Sequence, residues 1–330
     1  MSGGTRALLV LAVVLALAFV PFWAPGYKTT LATEMLIFAL LAMSVDIMEG
    51  YAGRTTLCHG ALFGVSTYVL LYYVAEHGGA TWAGILFGIL ASLAVAIIFA
   101  LLAVRTAGVY FLLLTLALGM IVWGIALRWS TVTGGENGIR GRVRPELLSD
   151  PSSFYYFVLA VFLVVAALMW RFVNSPFGLT LKGIRESETR MRTLGYDVSL
   201  HLFIGFVVSG IFAGVAGTLY GFFNNFVSPA SVSLNMSVTG LLMALIGGAG
   251  TLFGGFIGAV FIISLQVFVS DYTERWSMVL GLMFIVTIIF APDGIIGRLR
   301  QLVETRAPSQ SIPWESRSTK GGKQWTAADS

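Results

Sequence analysis

The chain is a succession of apolar runs, most of them long enough to cross a bilayer, separated by short polar stretches. The runs fall at residues 7–23, 31–48, 58–74, 80–104, 108–127, 153–172, 202–223, 237–246, 255–270 and 276–291. A span needs about 20 predominantly apolar residues, so only 237–246 is short. Hydrophobic residues make up 57% of the 330 positions and charged residues 11%. Soluble domains carry about 25% charged residues, which excludes that class. Backbone polar groups in lipid must be satisfied within the protein, by helices or a closed barrel. The runs show no two-residue alternation, so the expected fold is an all-α polytopic membrane protein of about ten helices, some short or broken.

Arg6 and the run at 7–23 resemble a secretory signal. No small-x-small cleavage site follows, and Pro21, Phe22 and Trp23 suit an interfacial anchor, so the segment is taken as a retained first helix. Placing the N-terminus inside puts 14 of the 20 Lys and Arg residues in cytoplasmic segments and 6 outside. That bias predicts both termini in the cytoplasm and the outer loop at 128–152 outside. The transmembrane domain is expected over 1–306, and the polar tail 307–330, which lacks any apolar period, reads as disordered.

Glycine recurs at helical spacing: 60/64, 84/88, 210/214, 217/221 and 250/254/258. Small residues four apart let helix backbones approach closely in lipid. Two clusters differ. Gly50-Tyr-Ala-Gly53 and Gly247-Gly-Ala-Gly250 share a GxAG pattern beside apolar runs, which hints at an internal duplication. Such breaks either line a transport pathway or serve as connecting loops, and both readings stand. On the first, Tyr51, Gly53, Arg54, His59, Gly247 and Gly250 are candidate lining residues.

Chemistry is sparse elsewhere. Cys58 is the single cysteine, so there is no internal disulfide, and three scattered histidines give no metal-ligand spacing. No Walker A pattern and no nucleophile–base arrangement occurs, so no catalytic residues, metal or cofactor are expected. The net charge of +4 reflects cytoplasmic loops rather than nucleic-acid binding. Glu34, Asp46, Glu49 and Arg54 lie near span ends, where snorkelling and local ion pairing account for them better than a proton relay. The polar motif at 133–139, TGGENGI, is turn-forming and is read as a loop that can cap an outer vestibule.

The segment 173–201 does not belong in a bilayer. It carries Lys182, Arg185, Glu186, Glu188, Arg190, Arg192 and Asp197 between two apolar runs. Gly178 marks its start and Gly195 closes one helical stretch over 179–194. Leu181, Ile184, Met191 and Leu194 supply apolar positions for a partner's groove, and mixed charge favours a protein partner over membrane lipid. Gly178, Arg185, Glu186, Glu188 and Gly195 are therefore the candidate coupling residues.

Six blocks in order resemble the LivM-type permeases of branched-chain amino acid ABC importers, over about residues 36–299. They are GYAGRTTLCHGALFGVSTY (50–68), VRTAGVYFLLLTLALGMIV (104–122), TGGENGI, NSPFGLTLKGIRESETRMRTLGYDV (174–198), LIGGAGTLFGGFIGAV (245–260) and FAPDGIIG (290–297). Arg54 stands where that family usually carries Gln, Cys58 where Gly is common, and Gly255 where Pro is common. The resemblance implies a permease subunit in a bacterial or archaeal inner membrane. Its implied partners are a LivH-type second permease, two ABC ATPase subunits and a periplasmic substrate-binding protein. The solute would be a branched-chain amino acid or a related small polar molecule such as another amino acid, urea or an amide. A self-contained secondary carrier or channel is the alternative.

Overall fold

The computed structural model describes residues 14–23, 26–270 and six positions between 278 and 294. Helix α1 spans Val14–Trp23 and α2 spans Tyr27–Asp46, running on as a wider π-helical turn over Ile47–Tyr51. Then come α3 (His59–Leu71, with a second π turn at Tyr72–Glu76), α4 (Thr81–Ala103) and α5 (Val109–Arg128). A one-turn α6 (Ser130–Thr133) precedes α7 (Pro151–Val173), α8 (Pro176–Glu186) and α9 (Glu188–Thr193). The long α10 (Val198–Asn224), the short α11 (Leu234–Gly247) and α12 (Gly254–Ser270) complete the described bundle. Two-residue strands β1 (Ile139–Arg140) and β2 (Phe226–Val227) pair antiparallel. The protein is an all-α polytopic membrane protein, and five of its described helices are long and apolar enough to cross a bilayer. The run at 276–291 and the tail at 307–330 lie largely or wholly outside the described residues.

Helix ends follow local chemistry. Asp150 accepts from the backbone N–H of Ser152 and Ser153 at 3.0 and 3.2 Å, with Pro151 in the first turn of α7. Asp197 accepts from Leu200 N–H at 3.0 Å to start α10, and Ser175 caps α8. Such caps satisfy amides that have no intrahelical partner.

Burial separates the centre from the lipid-facing shell. In the most apolar 18-residue window of α2, 78% of residues are buried, against 28% in α4 and in α5. α2 packs on α7, α10, α11 and α12, while α10 also packs on α3 and α4. The spaced glycines make these contacts. Gly210 and Gly214 face Ala96 and Ser92, Gly88 faces the Ser66 carbonyl, and Gly258 faces the Met243 carbonyl. Hydroxyls then bridge neighbouring backbones: Thr67 donates to Gly217 O at 2.8 Å and Ser92 to Gly210 O at 3.1 Å. Lipid offers no hydrophobic drive between helices, so close packing and such bonds supply the cohesion.

The two ends of the bundle differ. The start of α2, the β1–β2 pair and the loop before α7 share one end. Residues 47–58, the α4–α5 turn and the α8–α9 segment share the other.

Candidate functional site

At the second end the two GxAG blocks meet. Gly50 abuts Gly250 so closely that a side chain on either would overlap the other backbone. Asp46, one turn earlier on α2, has no exposed surface. Its carboxylate accepts from Gly250 N–H at 2.6 Å and from Leu252 N–H at 2.9 Å. A buried carboxylate is tolerated only when its lone pairs are met, and here two amides of the second break meet them. This corrects the snorkelling reading of Asp46: the side chain turns into the protein and fastens the loop after α11 to the end of α2. The clamp also holds buried Leu252 at φ 47°, a region that a bulky side chain rarely occupies.

The charged loop closes over this junction. Arg185 donates to Gly50 O, its guanidinium lies against Gly250, and its alkyl stem crosses Gly53. Gly53 and Gly250 have φ of +67° and +83°. A Cβ at Gly53 would sit 2.7 Å from Arg185 Cγ, and one at Gly250 would sit 2.8 Å from its guanidinium nitrogen. Glycine is required at both positions by conformation and by space. Arg54 pairs with Glu188 at 2.5 Å, their side chains 9% and 31% exposed, and donates to Thr106 O at 3.4 Å. Lys182 Nζ stands 4.9 Å from the centre of the Tyr51 ring, a cation–π contact.

The loop itself differs from the single helix expected over 179–194. Ser187 adopts an extended conformation that ends α8, and its hydroxyl accepts from Arg190 N–H to start α9. A residue that caps its own next helix competes with helix continuation. Three apolar positions expected to face a partner are used internally. Leu181 packs on Gly205, Met191 on Gly183, and Ile184 is buried. Leu194 remains exposed, with Leu179 and Tyr196. Glu188 is half-buried against Arg54, and Arg185 reaches Gly50 while keeping an exposed side. Glu186, Arg190, Arg192 and Asp197 are also exposed, Arg192 being paired to Glu188 at 2.7 Å. Gly178 packs against Val173 and lets α8 turn sharply off α7, and Gly195 follows α9 at φ +87°.

The structure thus unites Tyr51, Gly53, Arg54 and Gly250 at one junction. His59 lies apart, in a separate buried network. Its Nε2 is 2.6 Å from Ser209 Oγ, whose hydroxyl donates to Ser44 O at 2.6 Å. The ring must therefore donate from Nε2 and accept at Nδ1 from Thr56, also at 2.6 Å. These bonds pin the unwound stretch before α3 to α2 and α10. Gly247 faces Gly254 across the second break. Gly294, from the closing APDG block, packs on Gly248 of the same break. The TGGENGI motif is tied to its own end. Thr133 bonds Ala126 O and Trp129 O, Gly138 abuts Val227 O, and Ile139 opens β1. Beside it a cavity of about 330 Å3 is lined by Arg142, Arg144, Ser149 and Asn225.

Comparison with known proteins points to a transport family. The family described as branched-chain amino acid transport system / permease component matches residues 28–288. The LivM permease protein of the high-affinity branched-chain amino acid transport system of Salmonella typhimurium is 26% identical over 329 residues, covering 92% of this chain and 77% of its own. Its Escherichia coli K12 counterpart is 26% identical over 89% of this chain and 76% of its own. More distantly, the autoinducer 2 import system permease protein LsrC of Klebsiella pneumoniae is 27% identical over 61% of this chain and 59% of its own. No solved structure matches. The family match covers most of the chain, and the chain belongs to the permease components of branched-chain amino acid transport systems.

Proposed function

We propose that the chain is the transmembrane permease subunit of an ATP-driven importer in a bacterial inner membrane. It would move branched-chain amino acids or related small polar solutes inward. Its partners would be a LivH-type second permease, two ABC ATPase subunits and a periplasmic binding protein. Both termini and the α8–α9 segment would face the cytoplasm. The observation that carries this reading is the junction itself: a charged segment outside the apolar bundle is bonded to two helix breaks inside it. A soluble partner acting on that segment has a direct mechanical route to both breaks. Family membership and the relatives' printed functions support the same reading. The breaks with Tyr51, Gly53, Arg54, Gly247 and Gly250 would form the inner part of the solute path, and His59 would hold its wall. Unwound backbone within a membrane protein belongs where it lines a cavity or is buried in protein.

The test is reconstitution. The chain is co-expressed with candidate ATPase, second-permease and binding-protein subunits from the same genome. Uptake of labelled leucine, then valine, urea and acetamide, is measured in proteoliposomes. Uptake that needs ATP and every partner is the expected result. Uptake by the chain alone would establish a secondary carrier or channel instead.

A further inference from the structure

The loop is bonded to the first glycine break at two points, and that break is bonded to the second. α8 supplies Arg185, which donates to Gly50 O, covers Gly53 and touches Gly250. α9 supplies Glu188, paired with Arg54. Asp46 then holds the amides of Gly250 and Leu252. The loop cannot slide over residues 50–54 without stripping a largely buried guanidinium of its carboxylate, which is strongly unfavourable. The second break cannot stay behind without leaving Asp46 and two amides unpaired. α3 and α12 begin shortly after the two breaks, so both helix starts are re-aimed together. Arg185, part of the loop, touches the first break and the second break at once. A lysine there would keep the charge but lose the planar fork.

We propose that Arg185 is the positioning residue through which displacement of the α8–α9 segment shifts both glycine breaks as one unit, with Asp46 fastening the second break to the first. The functional consequence rests on the importer reading, because it needs a partner that moves the loop.

The experiment is a double-mutant cycle in native membranes, without ATPases. The reporter is Thr251→Cys, half-buried in the second break, in a Cys58→Ser chain. Its labelling rate by N-ethylmaleimide is measured. Glu188→Gln perturbs the loop at a point remote from the reporter, and should change the rate about threefold while Arg185 is present but by less than about 1.5-fold in an Arg185→Met chain. Arg185→Lys should transmit part of the effect. A second perturbation, Arg54→Gln, should behave as Glu188→Gln does. Labelling of Glu146→Cys in the outer loop, unchanged across the series, shows that the bundle is intact. Additive effects of Glu188→Gln and Arg185→Met would overturn the proposal. So would an unchanged rate in both Glu188→Gln and Arg54→Gln. Loss of ATP-dependent uptake in the reconstituted wild type would count against the importer reading, while the cycle still decides the role of Arg185.

Discussion

Asp46 is enclosed, and both its oxygens are engaged by backbone amides. Asp46→Ala leaves those amides without a partner, which costs about 1–3 kcal/mol for each group left buried and unpaired. Thermal unfolding of the detergent-purified chain should show the loss, with Asp46→Asn intermediate because one acceptor survives. An Asp46→Ala chain as stable as the parent would mean that the clamp does not matter. His59→Leu should destabilise by about 1–3 kcal/mol, since Thr56 and Ser209 lose their shared partner. Bulky substitutions at Gly53 and Gly250 act differently. Gly53→Val and Gly250→Val should abolish transport while reducing protein in the membrane far less, because the clash falls at the junction, on Arg185 at Gly53 and on Arg185 and the Gly50 carbonyl at Gly250, rather than between the packed helices. Equal losses of transport and of protein level would show that these glycines serve packing alone. The sequence marks these glycines and the polar residues beside them, but not the clamp. Asp46 and Gly250 are 204 positions apart, and a carboxylate at a span end looks the same whether it snorkels or turns inward.

The apolar runs announced the helices because lipid enforces length and continuity on them. The run at 202–223 is the centre of α10, and those at 80–104 and 108–127 match α4 and α5 within a residue or so. The helix starts at Asp150 and Asp197 are side-chain caps. The loop was less legible, because its apolar face can serve its own bundle or a partner equally well, and only packing decides. The structure uses Leu181, Ile184 and Met191 internally and leaves Leu179, Leu194 and Tyr196 exposed. In the proposed importer, Glu188→Lys would set two cations face to face at Arg54 and detach α9 from the first break. Transport should fall about tenfold or more, a loss of about 1.4 kcal/mol in effective coupling, while ATP hydrolysis by the assembled complex continues. Parallel loss of hydrolysis and transport would point to failed assembly instead, and normal transport would remove α9 from the coupling path.

At the scale of the molecule, the distribution of charge between the two ends is the feature with most consequence. Arg54, Arg105, Lys182, Arg185, Arg190 and Arg192 belong to segments gathered at one end, with Arg171 in the last turn of α7 beside them. Lys28, Arg128, Arg140, Arg142 and Arg144 belong to the other. Several of the second group are held by the fold. Arg144 donates to Phe222 O and Phe223 O and lies over Phe154, and Arg140 lies over Phe226. A guanidinium that caps helix carbonyls and stacks on rings has a structural reason to be there, which leaves the first group as the better guide to orientation. The sequence from 298 onward holds six more basic residues, which count toward the side on which it lies. The positive-inside rule therefore predicts that the end carrying the α8–α9 segment faces the cytoplasm. Glu136, in the opposite loop and exposed, then faces outward. In a Cys58→Ser chain, Glu136→Cys should react with a membrane-impermeant maleimide in intact cells whose outer membrane has been permeabilised, and Thr189→Cys in the loop should not. A reporter fused after Ser330 should be active only if its activity requires the cytoplasm. Labelling of Thr189→Cys from outside, with Glu136→Cys protected, would invert the molecule. It would then place the junction of the two breaks on the side where no ATP-hydrolysing partner can reach it.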